Sequence, residues 1–273
     1  MLIIDTHAHA ALNWFCPVQT LLGEMDANGV AHAILVQHRG AFDHAYLLDC
    51  AKRYPGRFKV VGLPDPDPAA APRSVEAMKR QGMAGIRMFL GDGWRPEDPA
   101  WRVAGELGMV VSVIGKPEQF ASPGFRKLLD NCPDTRFCLE HLARHGPPGT
   151  EFASPPHDGF RAALECGRWP NTTIKVPGLG EILPRPAQLP AGYPFAQSSP
   201  LFEMALEAFG PERMMFGSDF PPCAIREGYA NALEGIRRCP AFRQGDALAW
   251  ILGRSAARLW SFPMDEDAAP AAR

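Results

Sequence analysis

Short apolar runs alternate with segments of helical apolar spacing along the whole chain, and this alternation is the feature that most constrains the fold. The helical segments mostly end at a glycine or a proline, a few residues before the next run begins. The runs are nearly continuous in apolar residues, as expected for strands that are buried on both faces. They predict eight strands: Leu2–Thr6, Ala33–Gln37, Phe58–Leu63, Ala84–Phe89, Met109–Ile114, Arg136–Glu140, Thr172–Pro177 and Met214–Ser218.

Eight strands that alternate with helices at spacings of roughly 25 to 40 residues predict an α/β protein with a single (β/α)8 barrel. A doubly wound open sheet is the competing fold, but neither GxGxxG nor GxxxxGK[ST] follows the first strand. We expect the barrel to span residues 1–263 and the Ala- and Asp-rich residues 264–273 to form a disordered tail. The Pro- and Gly-rich residues 179–198 are predicted to form a long loop after the seventh strand, a candidate lid or specificity loop.

The charge balance and the cysteines exclude several classes of protein. The 273 residues include 28 basic and 30 acidic side chains and no Lys/Arg-rich block, which argues against nucleic acid as a partner. No apolar run approaches the ~18 residues that span a bilayer. Seven scattered cysteines without a CxxC pair are typical of reduced thiols. These features predict a cytoplasmic globular protein with a small-molecule substrate, as a monomer or a homo-oligomer.

The first predicted strand ends in a His-Ala-His sequence. Side chains alternate along a strand, so His7 and His9 are expected to point to the same side at the barrel mouth, where active sites of such barrels lie. Two imidazoles at this spacing suit zinc or a similar divalent ion. They would serve equally as buried, hydrogen-bonded histidines, but the small neighbours Ala8 and Ala10 favour a site.

Two further polar groups are predicted at strand ends on the same rim. Asp219 follows the eighth strand, next to the first strand across the barrel closure, and is a candidate metal ligand, a general base for water, or both. An aspartate that opens a Pro-containing turn is the structural alternative. His141 follows the sixth strand and is a candidate to polarise a carbonyl or shuttle a proton.

Cationic residues in or after other strands are candidates for substrate binding. Arg87 lies among apolar residues of the fourth strand, so it must pair with either a substrate carboxylate or a structural Asp or Glu. Lys175, among apolar residues of the seventh strand, likewise needs either a substrate group or a structural carboxylate as its partner. His38 follows the second strand on the functional face, where a solvated loop histidine is the alternative.

The motifs at these strand ends resemble those of the amidohydrolase superfamily, in its amidohydrolase-related branch of lactonases, decarboxylases and hydratases. The resemblance implies a barrel enzyme in which His7, His9 and Asp219 form the metal or water site and His141 assists the substrate carbonyl. The matching segments follow the family order over nearly the whole chain: Ile4–His9, Gly85–Arg87, Leu139–Leu142, Ile174–Gly178 and Arg213–Pro221.

One departure from this resemblance concerns the metal. Metal-dependent members commonly carry a further histidine at the end of the fifth strand, and residues 109–116 contain none. His7, His9 and Asp219 would still give the three protein ligands of a catalytic zinc site. In the metal-independent alternative, Asp219 activates water while the histidines and Arg87 stabilise the oxyanion and bind substrate.

The leading functional hypothesis is therefore a hydrolase that opens a lactone or similar ester of a small carboxylated molecule. A metal-dependent decarboxylase or hydratase of an aromatic-derived acid is the alternative enzyme, and the missing histidine weakens it most. A barrel that binds a small molecule without turnover is the non-enzymatic alternative, because a fold alone does not establish a function.

Overall fold

The computed structural model describes residues 1–91, 93–143, 155–195 and 200–264. Its eight parallel strands are β1 (Ile4–Ala8), β2 (His32–Val36), β3 (Phe58–Gly62), β4 (Gly85–Phe89), β5 (Val110–Ile114), β6 (Arg136–Leu139), β7 (Thr172–Val176) and β8 (Met214–Phe216). The helices between and after them are α1 (Val18–Asn28), α2 (Ala45–Arg53), α3 (Ala71–Arg80), α4 (Pro99–Glu106), α5 (Pro117–Phe120), α6 (Pro123–Asn131), α7 (Asp158–Leu164), α8 (Leu179–Ile182), α9 (Pro200–Phe209), α10 (Tyr229–Arg238), α11 (Ala247–Ala249) and α12 (Ser255–Trp260).

The local sequence sets where these helices begin and end. Ser122 caps α6, its hydroxyl accepting a hydrogen bond from the Phe125 N–H. Gly29 ends α1 in the left-handed conformation, with φ 70°, which glycine adopts without strain. Similar stop signals return the chain to the next strand, so α1 to α9 lie outside the sheet, in connections between consecutive parallel strands.

The sheet closes where the last strand meets the first. The strands pair in sequence order from β1 to β8, and a parallel bridge joins Ala8 to Phe220. The Asp219 N–H donates to the His7 carbonyl over 2.8 Å, and the Thr6 hydroxyl donates to the Phe216 carbonyl over 2.7 Å. Closure thus brings the segment after β8 beside the end of β1.

Two apolar clusters stabilise the barrel. The larger fills the space between the strands and the outer helices. The smaller lies inside the barrel and includes Ile4, Cys138 and Met215, together with Trp260 of α12. Because α12 covers the end of the barrel at which the strands begin, the open mouth of the barrel lies at the opposite end, where the strands finish.

The predicted fold class is confirmed, and each predicted strand overlaps the observed one. The boundaries differ most at β1, which begins at Ile4 and extends to Ala8. The loop predicted over residues 179–198 instead starts with the short helix α8, and its residues 196–199 lie outside the described part of the chain. The disordered tail remains a prediction, because residues 265–273 also lie outside it.

Candidate active site

A cavity of about 640 Å³ opens at the end of the barrel at which the strands finish. Residues from the ends of β1, β2, β4, β5 and β6 line it, together with the segments that follow β7 and β8. Its lining includes the side chains of His9, His38, Arg39, Arg87, Phe89, His141, Glu181, Asp219 and Arg226. Since parallel strands all end on this rim, residues far apart in sequence meet there.

A bulge in β1 directs both predicted histidines into the site. The pairing of β1 with β2 shifts register between Asp5 and Ala8. Asp5, two residues before His7, therefore does not face the cavity: it accepts hydrogen bonds from the Ser218 hydroxyl over 2.6 Å and from the Tyr229 hydroxyl over 3.0 Å. Gly217 leaves room for His7, because a Cβ at Gly217 would lie 2.9 Å from the His7 Cβ.

The ring of His9 is oriented by the backbone of β2. Its Nδ1 lies 2.6 Å from the carbonyl oxygen of Val36, so Nδ1 carries the proton that it donates. In the neutral ring Nε2 then holds a lone pair, 3.6 Å from Oδ1 of Asp219. Both of these atoms are hydrogen-bond acceptors, so a metal ion, or a proton donor such as water, would stabilise them in this arrangement.

The ring of His7 has the opposite tautomer, because its partner is a lysine. Lys175 Nζ lies 3.0 Å from Nδ1 of His7, and an ammonium group can only donate. Burial lowers the pKa of His7 well below its ordinary value, and the Lys175 charge lowers this pKa further, so the ring is neutral. Its proton therefore sits on Nε2, which is buried without a hydrogen-bond partner among the described residues and lies 3.9 Å from Oδ1 of Asp219.

Asp219 lies between the two histidines, and its backbone has a conformation that residues other than glycine seldom adopt. Its φ is 56°, a left-handed value that costs energy and is enriched at functional sites. Oδ2 accepts a hydrogen bond from Arg226 over 3.1 Å, which turns Oδ1 toward His7 and His9. Burial raises the pKa of Asp219, but the nearby positive charges of His141 and Arg226 outweigh it and hold the pKa at about 2. The carboxylate is ionised at neutral pH.

A buried polar network below the cavity contains Arg87 and Lys175. Glu140 is fully buried, and the single Nε–H of Arg87 is shared between its two carboxylate oxygens, each 3.1 Å away, while Nη2 of Arg87 donates to Oε2 over 2.8 Å. The Ser112 hydroxyl donates to Glu140 over 2.6 Å and accepts from Lys175 over 2.9 Å. Burial raises the pKa of Glu140, but the Arg87 and Lys175 charges outweigh it and lower the pKa below the ordinary value. Arg87 and Lys175 thus have intramolecular partners.

Sequence reasoning missed two residues that connect His141 to Asp219. Glu181 on α8 accepts a hydrogen bond from Nδ1 of His141 at 2.9 Å, and its charge raises the pKa of His141 against the opposing effect of burial. The Arg226 guanidinium lies 3.4 Å from Glu181 and 3.1 Å from Asp219. The Gly178 and Gly180 pair was the available signal, since a Cβ on either would collide with the Glu227 carboxylate beneath α8.

His38 lies at the edge of the same cavity, half-buried. Phe15 connects it to the centre, stacking on the His9 ring at 5.1 Å and meeting the His38 ring edge-on at 5.3 Å. Burial lowers the pKa of His38, and the nearby His9 and Arg87 lower it further. The structure therefore brings every predicted site residue to the cavity or to the network directly beneath it.

Three sets of described residues bring donor atoms close enough to hold a divalent metal ion. The sets are His7, His9 and Asp219; His7, Glu140 and His141; and His141, Glu181 and Asp219, with all donor atoms of a set within 4.8 Å of one another. The first set fits a metal best, since the His9 lone pair and Asp219 Oδ1 already face each other. His7 fits only after its Nε2 proton has left, which the Lys175 contact opposes.

A family model described as amidohydrolase matches residues 4–262. The chain belongs to this family. It is 29% identical to an L-fucono-1,5-lactonase of Burkholderia multivorans over 89% of this chain and 85% of that protein.

Two solved structures share the fold. A zinc-bound amidohydrolase from Burkholderia multivorans has a TM-score of 0.78 and 24% identity, covering 96% of this chain and all of that one. A protein from Pseudomonas putida described as a 2-pyrone-4,6-dicarboxylic acid hydrolase has a TM-score of 0.75 and 21% identity, covering 97% and 99%. No helix among the described residues is long and apolar enough to cross a membrane.

Proposed function

We propose that this amidohydrolase opens a lactone or similar ester of a small carboxylated molecule. The observation that carries the proposal is the Asp219 carboxylate, ionised and aimed at two imidazoles beside a cavity of about 640 Å³. A carboxylate and N–H donors around one reacting centre suit acyl transfer to water. The similarity to an L-fucono-1,5-lactonase and to a described pyrone-dicarboxylate hydrolase supports a lactone as the substrate.

In the proposed reaction, Asp219 is the base that activates the attacking water. Asp219 takes a proton from water as its oxygen attacks the lactone carbonyl, and the carbonyl oxygen becomes an oxyanion. The imidazole of His141 donates a hydrogen bond to that oxyanion, and in a site without metal the Nε2–H of His7 donates a second one. Collapse of the tetrahedral intermediate breaks the ring carbon–oxygen bond, and the leaving oxygen receives the proton that Asp219 took up. Arg226 keeps Asp219 oriented, and Glu181 keeps His141 oriented.

Zinc is the metal that we propose for the set of His7, His9 and Asp219. Nitrogen and carboxylate donors in a three-residue set suit catalytic zinc, and a bound zinc ion would supply Lewis-acid activation of the substrate. We expect protein purified without chelator to hold about one equivalent of zinc, measured by elemental analysis. Turnover that survives complete removal of the metal would contradict a zinc requirement and leave the His7 N–H as the oxyanion donor.

Lys175→Met is expected to tighten zinc binding by about 10- to 100-fold. Without the ammonium group, His7 Nδ1–H is free to donate to Glu140, whose Oε1 lies 3.8 Å away, and Nε2 becomes a metal ligand. Zinc affinity by competition with a chromophoric chelator measures the effect. Lys116→Met is the matched control, since Lys116 lines the cavity without contacting a histidine and pairs with Glu118 at 4.0 Å. Unchanged or weaker zinc binding in Lys175→Met would contradict the assigned tautomer.

A panel of five- and six-membered lactones, with and without carboxylates, tests the proposed reaction. Hydrolysis in ¹⁸O-labelled water should place one label in the product carboxylate. Release of carbon dioxide from an aromatic acid without label would select the decarboxylase. Tight retention of ligands without turnover on the whole panel would select a binding protein. The end of β5 disfavours the decarboxylase, because Ile114 and Gly115 line the cavity where metal-dependent relatives commonly place a histidine.

A further inference from the structure

Arg39 lies where the main cavity meets a neighbouring groove of about 380 Å³. It follows β2, directly after His38, and its side chain is exposed. The guanidinium lies over the ring of Phe89 at the end of β4, 5.3 Å from the ring centroid. This cation–π contact holds the guanidinium at the rim without using its N–H groups.

The other cations of the cavity already face carboxylates. Arg87 is paired with Glu140, Arg226 contacts Asp219 and Glu181, and Lys116 lies 4.0 Å from Glu118. For Arg39, no carboxylate of the described residues lies within 4.0 Å. Its N–H fork is therefore the group of the cavity best placed to receive an anion from solution, and a planar fork matches a carboxylate.

We propose that Arg39 binds the carboxylate of the substrate and is the residue that selects carboxylated over neutral lactones. The inference rests on the proposed lactone hydrolysis and deepens it. The contact with Phe89 holds Arg39 toward β4, which lies on the opposite side of the eight-stranded barrel from β8. A substrate whose carboxylate meets Arg39 would thus span the mouth, with its carbonyl near Asp219. The guanidinium of Arg87, which is paired with Glu140, also lies against the Phe89 ring, 5.2 Å from its centroid, and this second contact fixes the ring on which Arg39 rests.

Arg39→Met separates this role from catalysis when two matched lactones are compared. We expect kcat/KM for 6-oxotetrahydropyran-2-carboxylate to fall about 10- to 100-fold, mainly through KM, because a charge-assisted hydrogen bond is lost. Turnover of δ-hexanolactone, in which a methyl group replaces the carboxylate, should stay within about twofold. The loss on the carboxylated lactone should be smaller for Arg39→Lys than for Arg39→Met. Arg126→Met, which removes an arginine outside the cavity that pairs with Glu165 at 3.0 Å, should change the turnover of neither substrate.

A binding measurement keeps the two proposals distinguishable. Tetrahydropyran-2-carboxylate has no ester to hydrolyse, and calorimetry should show that it binds the wild-type protein more tightly than Arg39→Met. The matching carboxamide should bind weakly to the wild-type protein and to Arg39→Met alike. Arg39-dependent binding of the carboxylate without turnover of any lactone would support this inference and overturn the proposed reaction. Lactone turnover in which Arg39→Met affects both substrates equally, or affects neither, would overturn the inference and leave the reaction standing.

Discussion

Asp219→Asn is expected to lower kcat about 10³-fold on any lactone that the wild-type protein opens, with little change in the unfolding temperature. The amide cannot accept the proton of the attacking water, although it keeps the size of the carboxylate and an oxygen for the hydrogen bond from Arg226. Initial rates with saturating substrate measure the loss. A variant that retained wild-type turnover would remove Asp219 from the role of base.

Glu181→Gln is the charge-matched control for this experiment. Glu181 also contacts Arg226, but it lies against His141 and is not paired with His7 or His9. We expect its neutralisation to lower kcat only about tenfold, because it positions His141 and leaves the base intact. Equal losses in the two variants would show that the negative charge of the site matters more than the identity of the base.

Arg87→Met is expected to lower the free energy of unfolding by about 3–5 kcal/mol. The substitution leaves Glu140 fully buried, with the Ser112 hydroxyl at 2.6 Å, Lys175 at 3.7 Å and His141 at 3.9 Å among its remaining partners. Removal of one member of a buried ion pair is costly because the other charge stays desolvated. Urea unfolding followed by circular dichroism measures the change.

Two comparisons test whether the loss comes from the buried pair. Arg126→Met breaks the exposed pair with Glu165, 3.0 Å apart, and should cost at most about 1 kcal/mol. Adding Glu140→Gln to Arg87→Met should restore part of the lost stability, because the unpaired charge is then removed. An Arg87→Met protein with wild-type stability and a raised KM would instead assign Arg87 to the substrate, as one interpretation of the sequence has it.

The strands and the rim residues could be predicted because their signals are local. A buried strand is a short apolar run, and each predicted strand overlaps an observed one. Parallel strands of a barrel end on one rim, so His9, His141 and Asp219 could be assigned to the same cavity. The alternation of side chains along a strand predicts that His7 and His9 point into the same site. The same alternation would direct Asp5 there too, but the bulge in β1 turns Asp5 toward Tyr229.

The residues that were missed carry weak local signals. Glu181 lies in a segment whose Pro and Gly content predicts a loop, and Arg226 follows a Pro-rich turn in which an arginine is ordinarily solvated. Tertiary packing positions these residues: α8, which carries Glu181, packs closely against Glu227 because Gly178 and Gly180 have no side chains. A sequence pattern records which side chains are apolar, and it does not record which distant side chain a polar group meets.

The sequence by itself determined the class of fold, the order of the strands and the rim on which the chemistry lies, because periodicity and strand ends are properties of neighbouring residues. Only the tertiary structure decided what each rim residue can do. The contact of Lys175 with His7 joins residues 168 positions apart and sets the proton on Nε2, while that of Glu140 with Arg87 joins residues 53 apart and occupies the guanidinium. Hydrogen-bond partners fix tautomers and charges, and barrel closure chooses those partners.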